Sequence, residues 1–232
     1  MKAVIIAGGH GSRLRPLTYD IPKPIVPICN QPFLFHQIAW LKRYGIEEII
    51  LNLHYLSHTL EDTLGNGSRW GVKLHYTYES EPLGTAGAVK NAQALFDRDP
   101  MIVLNGDIFA DLDLSALLKF HYAHQGLATL ALTKVKDPTA YGLISLDERH
   151  CITRFLEKPT PEEAIVNTVN AGIYVLDPAV FELVPQGEPY SFERGLFPHL
   201  VESGKGIYGY PDTFYWLDIG TISKYRRSSQ VS

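Results

Sequence analysis

The apolar run Ala3-Val4-Ile5-Ile6-Ala7 stops abruptly at Gly8, Gly9 and Gly11, three glycines within four positions. A short run of small and branched apolar residues closed by glycine predicts a buried strand whose C-terminal end opens into a loop. Glycines lack the Cβ atoms that would hold a ligand away from the backbone, and they reach positive φ at little steric cost. Successive N–H groups can then converge on an anion. Arg13 and Lys23 add two positive charges close by, on a segment whose φ angles are fixed at Pro16, Pro22, Pro24 and Pro27. A polyphosphate fits this combination, and an ordinary turn does not require it.

Two other glycine loops bind phosphates, and neither is present. A dinucleotide fingerprint needs a third glycine where this chain has Leu14, which argues against an NAD-binding oxidoreductase. A Walker loop needs Gly-Lys followed by Ser or Thr, a tripeptide this chain does not contain.

The stretch Gly8-Gly9-His10-Gly11-Ser12-Arg13-Leu14-Arg15-Pro16-Leu17-Thr18, followed by Pro22-Lys23-Pro24, resembles the signature of the sugar-1-phosphate nucleotidyltransferases, the NDP-sugar pyrophosphorylases. Similar stretches recur almost to the C-terminus. The resemblance implies a single Rossmann-like α/β domain of GT-A type over residues 1–232, a mixed, mostly parallel sheet flanked by helices. Many family members carry a C-terminal β-helix, and the expectation here is the catalytic domain without one. The resemblance also implies that Ala7, Gly8, Gly9, Gly11, Ser12 and Arg13 hold a nucleotide.

A chain of 232 residues can bury a substantial core unaided. Its formal net charge of −4 gives no general attraction to nucleic acid, so an anion must be held by a local patch such as Arg13, Arg15 and Lys23. Small-molecule partners are expected, with association into a homo-oligomer left open. The N-terminal apolar run is too short for a signal-peptide core, and no run has transmembrane length, so no membrane partner and a cytoplasmic location are expected. Cys29 and Cys151 are far apart and show no ligand spacing, which predicts two reduced thiols.

Apolar periodicity predicts helices over Phe33–Tyr44, Leu56–Leu64, Gly84–Phe96, Leu114–His124 and Phe192–Glu202. Strands are predicted over Glu48–Leu53, Val72–Tyr78, Met101–Leu104, Asn170–Leu176, Gly206–Tyr210 and Phe214–Leu217, with a hairpin joining Leu143–Leu146 to Ile152–Glu157. The alternation of strand and helix in the first half points to crossovers and a largely parallel sheet. Asp113 and Asp177 read as cap or turn residues.

Asp107 follows a buried strand and Asp218 follows Phe214-Tyr215-Trp216-Leu217. Ligands of open α/β sheets gather outside the carboxyl ends of strands, where both carboxylates can meet the glycine loop. Magnesium takes one or two carboxylates with phosphate and water, and the resemblance makes Asp107 and Asp218 its ligands. Glu81-Pro82-Leu83-Gly84-Thr85-Ala86-Gly87 lies between a strand and a helix, and Glu81, Gly84 and Thr85 are nucleotide-binding candidates. A carboxylate at Glu81 can accept from N1–H and the amino group of guanine, whereas uracil or thymine suits a neutral amide. The segment resembles guanylyltransferases of the mannose-1-phosphate and heptose-1-phosphate types, although some uridylyl-transferring relatives share parts of it.

Glu157-Lys158-Pro159 and Asn170-Ala171-Gly172 match the family's sugar-binding stretches, as does Tyr141-Gly142. Glu157 can accept from two sugar hydroxyls, Lys158 can pair with the sugar phosphate, and Gly172 lets the hexose approach the backbone. Gly142 and Asn170 complete that set. The implied reaction is attack by a sugar-1-phosphate oxygen, mannose 1-phosphate favoured, on the α-phosphorus of an NTP, GTP favoured. Arg13, Lys23, Asp107 and Asp218 are the catalytic candidates. Uridylyl or thymidylyl transfer to another sugar 1-phosphate is the alternative reaction. A non-catalytic nucleotide-sugar sensor is the alternative of another class, and intact Arg13, Lys23 and aspartates argue against it.

Overall fold

The computed structural model describes residues 1–228. In chain order, β1 (Lys2–Ile6) leads through two short 3-10 turns, Ser12–Leu14 and Lys23–Ile25, to a small ribbon of β2 (Pro27–Ile28) and β3 (Gln31–Pro32). Then follow α1 (Phe33–Arg43), β4 (Glu48–Leu53), α2 (Ser57–Leu64), β5 (Lys73–Tyr78), α3 (Gly84–Asn91), β6 (Met101–Asn105), β7 (Ile108–Ala110) and α4 (Leu114–His124). The second half contains β8 (Ala128–Lys134), β9 (Gly142–Leu146), β10 (Ile152–Glu157), β11 (Thr168–Leu176), α5 (Phe197–Ser203), β12 (Ile207–Pro211), β13 (Trp216–Asp218) and α6 (Ile222–Ser228).

The main sheet is mixed and has the order β10-β9-β11-β6-β1-β4-β5, with β8 and then β12 added beside β11. Strands β6, β1, β4 and β5 run parallel, whereas β11 is antiparallel to β6, β8 and β9. Alternation along β1 shows why both faces must be covered. Ala3 and Ile5 join the apolar cluster that includes Ile38 and Leu41 of α1 and Leu60 of α2. Val4 joins the opposite cluster, with Ala86 and Val89 of α3 and Phe197 and Leu200 of α5. Each fully buried Val, Leu or Ile of this kind contributes about 1.5–3 kcal/mol.

Helix boundaries follow local chemistry. Asp113 caps α4 by accepting from the N–H groups of Ser115 and Ala116, and Asp177 accepts from Ala179 at the 3-10 turn Pro178–Leu183. The helix expected over Gly84–Phe96 ends as α3 at Asn91, with Gln93–Leu95 tightened to a 3-10 turn. The helix expected over Phe192–Glu202 begins as a π turn, Phe192–Leu196, before α5. Pro198 has no N–H to offer the preceding turn, so regular α bonding cannot extend back through it.

His121 of α4 is buried, and its Nδ1 lies 2.9 Å from Thr129 Oγ1. Burial lowers its pKa below the usual 6.5, more than the Asp177 charge raises it. The unfolded chain therefore takes up a proton near pH 6.5 that the folded chain refuses. Stability is expected to fall as pH drops below about 6.5 towards the depressed value. Denaturant midpoints measured across pH, with the His121 imidazole followed by NMR, check this. An imidazole titrating at or above 6.5 contradicts it.

Candidate active site

The site lies where the strand order switches direction, with β4 on one side of β1 and β6 on the other. Open α/β sheets bind ligands at such a crevice. The turn after β6 is tightly held. Gly106 N–H donates to Ile6 O at 2.9 Å, and a Cβ at Gly106 would come within 2.5 Å of that carbonyl, so the Asn105-Gly106-Asp107 turn requires glycine. From α1, the Gln37 amide donates to Asn105 O at 3.0 Å and Ile108 O at 2.8 Å. Asp107 is thus carried on a turn fastened at both ends.

Asp218 reaches the same place through a two-stranded ribbon. Strand β13 pairs antiparallel with β7, setting Asp218 opposite Ile108, and Ile219 N–H donates to Asp107 O at 2.8 Å. Two carboxylates 111 positions apart in the chain become neighbours by this register.

Two recesses, each of about 200 Å³, share Asn105 and Asp107. The first is lined by Ala7, Gly9, Lys23, Pro24, Thr85 and Gly106. The second is lined by Arg13, Gly142, Glu157, Lys158, Asn170, Gly172, Tyr141, Glu193, Trp216 and Asp218. Lys23 is ion-paired with Asp107 at the junction. Arg13, expected with the nucleotide group, belongs to the second recess, and its Nη2 would lie 3.2 Å from a Cβ on Gly220.

Ser12 begins a 3-10 turn, with Gly11 at φ 61° before it. A Cβ at Gly11 would meet Lys23 Cβ at 3.0 Å, and Thr18 Oγ1 donates to Gly11 O at 2.7 Å. The glycine loop and the lysine segment therefore pack directly on each other. Gly84, at φ 71°, faces Tyr190 O, which accepts from Ala86 and Gly87 N–H at the start of α3.

Neither glutamate of the turn before α3 lines a recess, and Glu81 is exposed. The half-buried carboxylate of this turn is Glu79. Its Oε2 accepts from Leu83 N–H at 2.7 Å, and its Oε1 faces Gly8, 3.2 Å from where a Cβ would stand. Burial raises its pKa, while the Leu83 hydrogen bond and His54 pull it down. Sequence reasoning passed over Glu79 because two glutamates stand two positions apart, and only the path of the turn distinguishes them.

In the second recess, Asn170 Nδ2 donates to Tyr174 Oη at 2.9 Å and its Oδ1 accepts from Gly172 N–H at 3.0 Å. Gly172, at φ 73°, leaves room for Asn105, whose Nδ2 would be 2.8 Å from a Cβ there. Lys158 also adopts positive φ, 53°, and its N–H donates to Tyr141 O at 3.0 Å. Burial and the facing Glu193 raise the Glu157 pKa, against Lys158 and Arg194, which lower it. Glu193 was not singled out in the sequence. Its Oε2 accepts from Thr85 Oγ1 at 2.8 Å and Ser191 Oγ at 2.7 Å, linking the two recesses.

Lys224 was also missed. It donates to Asp218 Oδ2 at 2.6 Å and to Tyr141 Oη at 2.8 Å. Burial would lower its pKa, but these bonds outweigh that and hold the ammonium above its ordinary value. Asp218 Oδ1 is buried and has no hydrogen-bond partner among the described residues. No group of three or more His, Cys, Asp or Glu suited to a metal occurs among the described residues, and Asp107 and Asp218 both line the second recess. Cys29 and Cys151 are free thiols, and no helix among the described residues is long and apolar enough to cross a membrane.

A mixed α/β sheet with a glycine loop, two cations and two carboxylates at its switch point is an arrangement suited to phosphorylated ligands. Residues 2–231 match the family described as Nucleotidyl transferase, and the chain belongs to that family. It is 40% identical over 228 residues to mannose-1-phosphate guanylyltransferase of Mycobacterium tuberculosis, covering 98% of this chain and 63% of that relative. A mannose-1-phosphate guanyltransferase of Eremothecium gossypii is 41% identical over 225 residues, 95% of this chain and 61% of its own. The chain therefore spans about three fifths of the curated relatives it matches. Among solved structures, HddC from Yersinia pseudotuberculosis superposes with a TM-score of 0.85 at 30% identity, covering 99% of this chain and 98% of that one. HddC has also been solved complexed with GMP-PN, with a TM-score of 0.84 at 29% identity over 99% of this chain and 98% of that one.

Proposed function

We propose that this chain transfers a nucleotidyl group from an NTP, with GTP preferred, to a hexose 1-phosphate, with mannose 1-phosphate preferred, releasing pyrophosphate. The observation that carries this is the pair of recesses meeting at Asp107, one beside the glycine loop and one lined by Glu157, Lys158, Asn170 and Gly172. The guanylyltransferase names of the relatives support the choice of base and sugar.

In this reading the NTP phosphates lie along Gly8, Gly9, Gly11 and Ser12, with Thr85 on the far wall and Gly84 shaping the start of α3 beside it. Glu79, rather than the exposed Glu81, accepts from guanine. The sugar phosphate enters the other recess, its hydroxyls to Glu157 and its phosphate towards Arg13 and Lys158. An oxygen of that phosphate attacks the α-phosphorus, the new P–O bond forms as the bond to the β-phosphate bridging oxygen breaks, and pyrophosphate leaves with the electron pair. The nucleophile is already an anion, so alignment and charge neutralisation supply the catalysis. Lys23 at the junction holds the α-phosphate against the incoming phosphate, and Arg13 offsets charge carried by the leaving and entering groups.

Asp107 and Asp218 would hold magnesium. The fit rests on the unpartnered, buried Asp218 Oδ1 and on two hard carboxylate donors beside a phosphate site. When bound, the ion supplies Lewis-acid neutralisation of phosphate charge.

The test is pyrophosphate release across GTP, ATP, UTP and dTTP paired with mannose, glucose and heptose 1-phosphates, with magnesium and with EDTA. GTP with mannose 1-phosphate is expected to be fastest and to need the metal. No release from any pair would overturn the enzymatic reading. Glu157→Ala, at a residue that lines the second recess alone, is expected to raise KM for the sugar phosphate about tenfold, equivalent to about 1.4 kcal/mol, and to leave KM for the NTP unchanged. Equal changes in both would contradict the division of the site.

A further inference from the structure

The second recess poses an electrostatic problem. Its walls carry four carboxylates, Asp107, Glu157, Glu193 and Asp218, against two cations, Arg13 and Lys158. Side chains in that balance, taken by themselves, repel a dianionic sugar phosphate. Two lysines redress it from outside the lining. Lys23 is paired with Asp107, and Lys224 is paired with Asp218 Oδ2 at 2.6 Å. Counting them, four cations face four carboxylates.

Lys224 also fixes the wall. It bonds to Tyr141 Oη at 2.8 Å and sits 4.8 Å from that ring's centroid. Tyr141 packs edge-on against Trp216 at 5.2 Å between centroids, and Trp216 Nε1 donates to Ala171 O at 2.8 Å. The neighbouring Tyr225 bonds through its hydroxyl to Pro27 O at 2.6 Å, tying α6 to the segment that carries Lys23. With Oδ2 held by Lys224, the buried Oδ1 of Asp218 stands beside the recess with no hydrogen-bond partner among the described residues.

Resting on the proposed reaction, we infer that Lys224 is a positioning residue that sets sugar-phosphate affinity, by offsetting the charge of Asp218 and by holding Tyr141 in the wall. The charge is the dominant part, because in a half-exposed site a unit charge a few ångströms from a phosphate acts more strongly than one neutral hydrogen bond.

The experiment compares wild type with Lys224→Met, Lys224→Gln and Lys224→Arg. Binding of mannose 1-phosphate and glucose 1-phosphate is measured by calorimetry, with and without a nonhydrolysable GTP analogue and magnesium. Steady-state kcat and KM accompany it, and circular dichroism establishes that each variant is folded. Met and Gln are expected to weaken sugar-phosphate binding about tenfold, a loss of one charge-assisted contact, with nucleotide affinity unchanged. Arg is expected to restore most of the loss. A folded Gln variant with wild-type affinity overturns the charge offset, and a Met variant with wild-type affinity overturns the inference altogether. A wild-type chain that neither binds a sugar phosphate nor releases pyrophosphate sinks the proposed reaction as well, so the two failures are distinguishable.

Discussion

Asp107→Ala is expected to lower pyrophosphate release by about two powers of ten or more, the usual cost of removing a main electrostatic stabiliser, without unfolding the protein. The fold depends on the backbone of Asp107, whose carbonyl accepts from Ile219 N–H, and on Gly106 and Gln37 around it. Its side chain is paired with Lys23 at the junction of the recesses. Removing the carboxylate therefore leaves the turn in place and takes away a donor facing both substrates. Lys23→Ala is expected to lose a similar factor, and the double variant less than the product of the two, because the residues act on one another. Near-normal release from either folded single variant would count against these roles.

Glu79→Gln is expected to lower the preference for GTP over UTP by about tenfold or more, since a site built to accept from a base's N–H groups discriminates strongly. The amide can keep its carbonyl towards Leu83 N–H, where Glu79 Oε2 now accepts, and must then turn an NH2 group towards Gly8. That group repels guanine N1–H and suits a uracil carbonyl. Competition of GTP with UTP in one reaction measures the ratio directly. An unchanged ratio would remove Glu79 from base recognition, and a shift produced instead by Glu81→Gln would return the role to the exposed residue.

The sequence made the parallel half of the sheet readable because β1, β4 and β6 are near-continuous apolar runs bounded by glycine or polar residues. The glycine loop was readable for a related reason: close backbone approach and positive φ leave glycine few substitutes. The ribbon that joins the two halves of the site was only half readable: the strand expected over Phe214–Leu217 overlaps β13, whereas β7 has three residues, too few to carry a period, and their pairing spans more than a hundred positions. Glu193 was hidden because it sits in a π turn, Phe192–Leu196, where the α-helical period read from the sequence does not place side chains. Lys224 was hidden because a lysine on a short helix ordinarily points to water, and its partner, Asp218, is fixed only by tertiary register.

The central claim is direct displacement between two substrates in adjoining recesses, with no protein group attacking phosphorus in between. It is tested most directly with GTP made chiral by sulfur at the α-phosphorus. The account predicts that the nucleotide sugar forms with inversion at that centre. Retention would require two successive displacements through a nucleotidylated residue, and would contradict it.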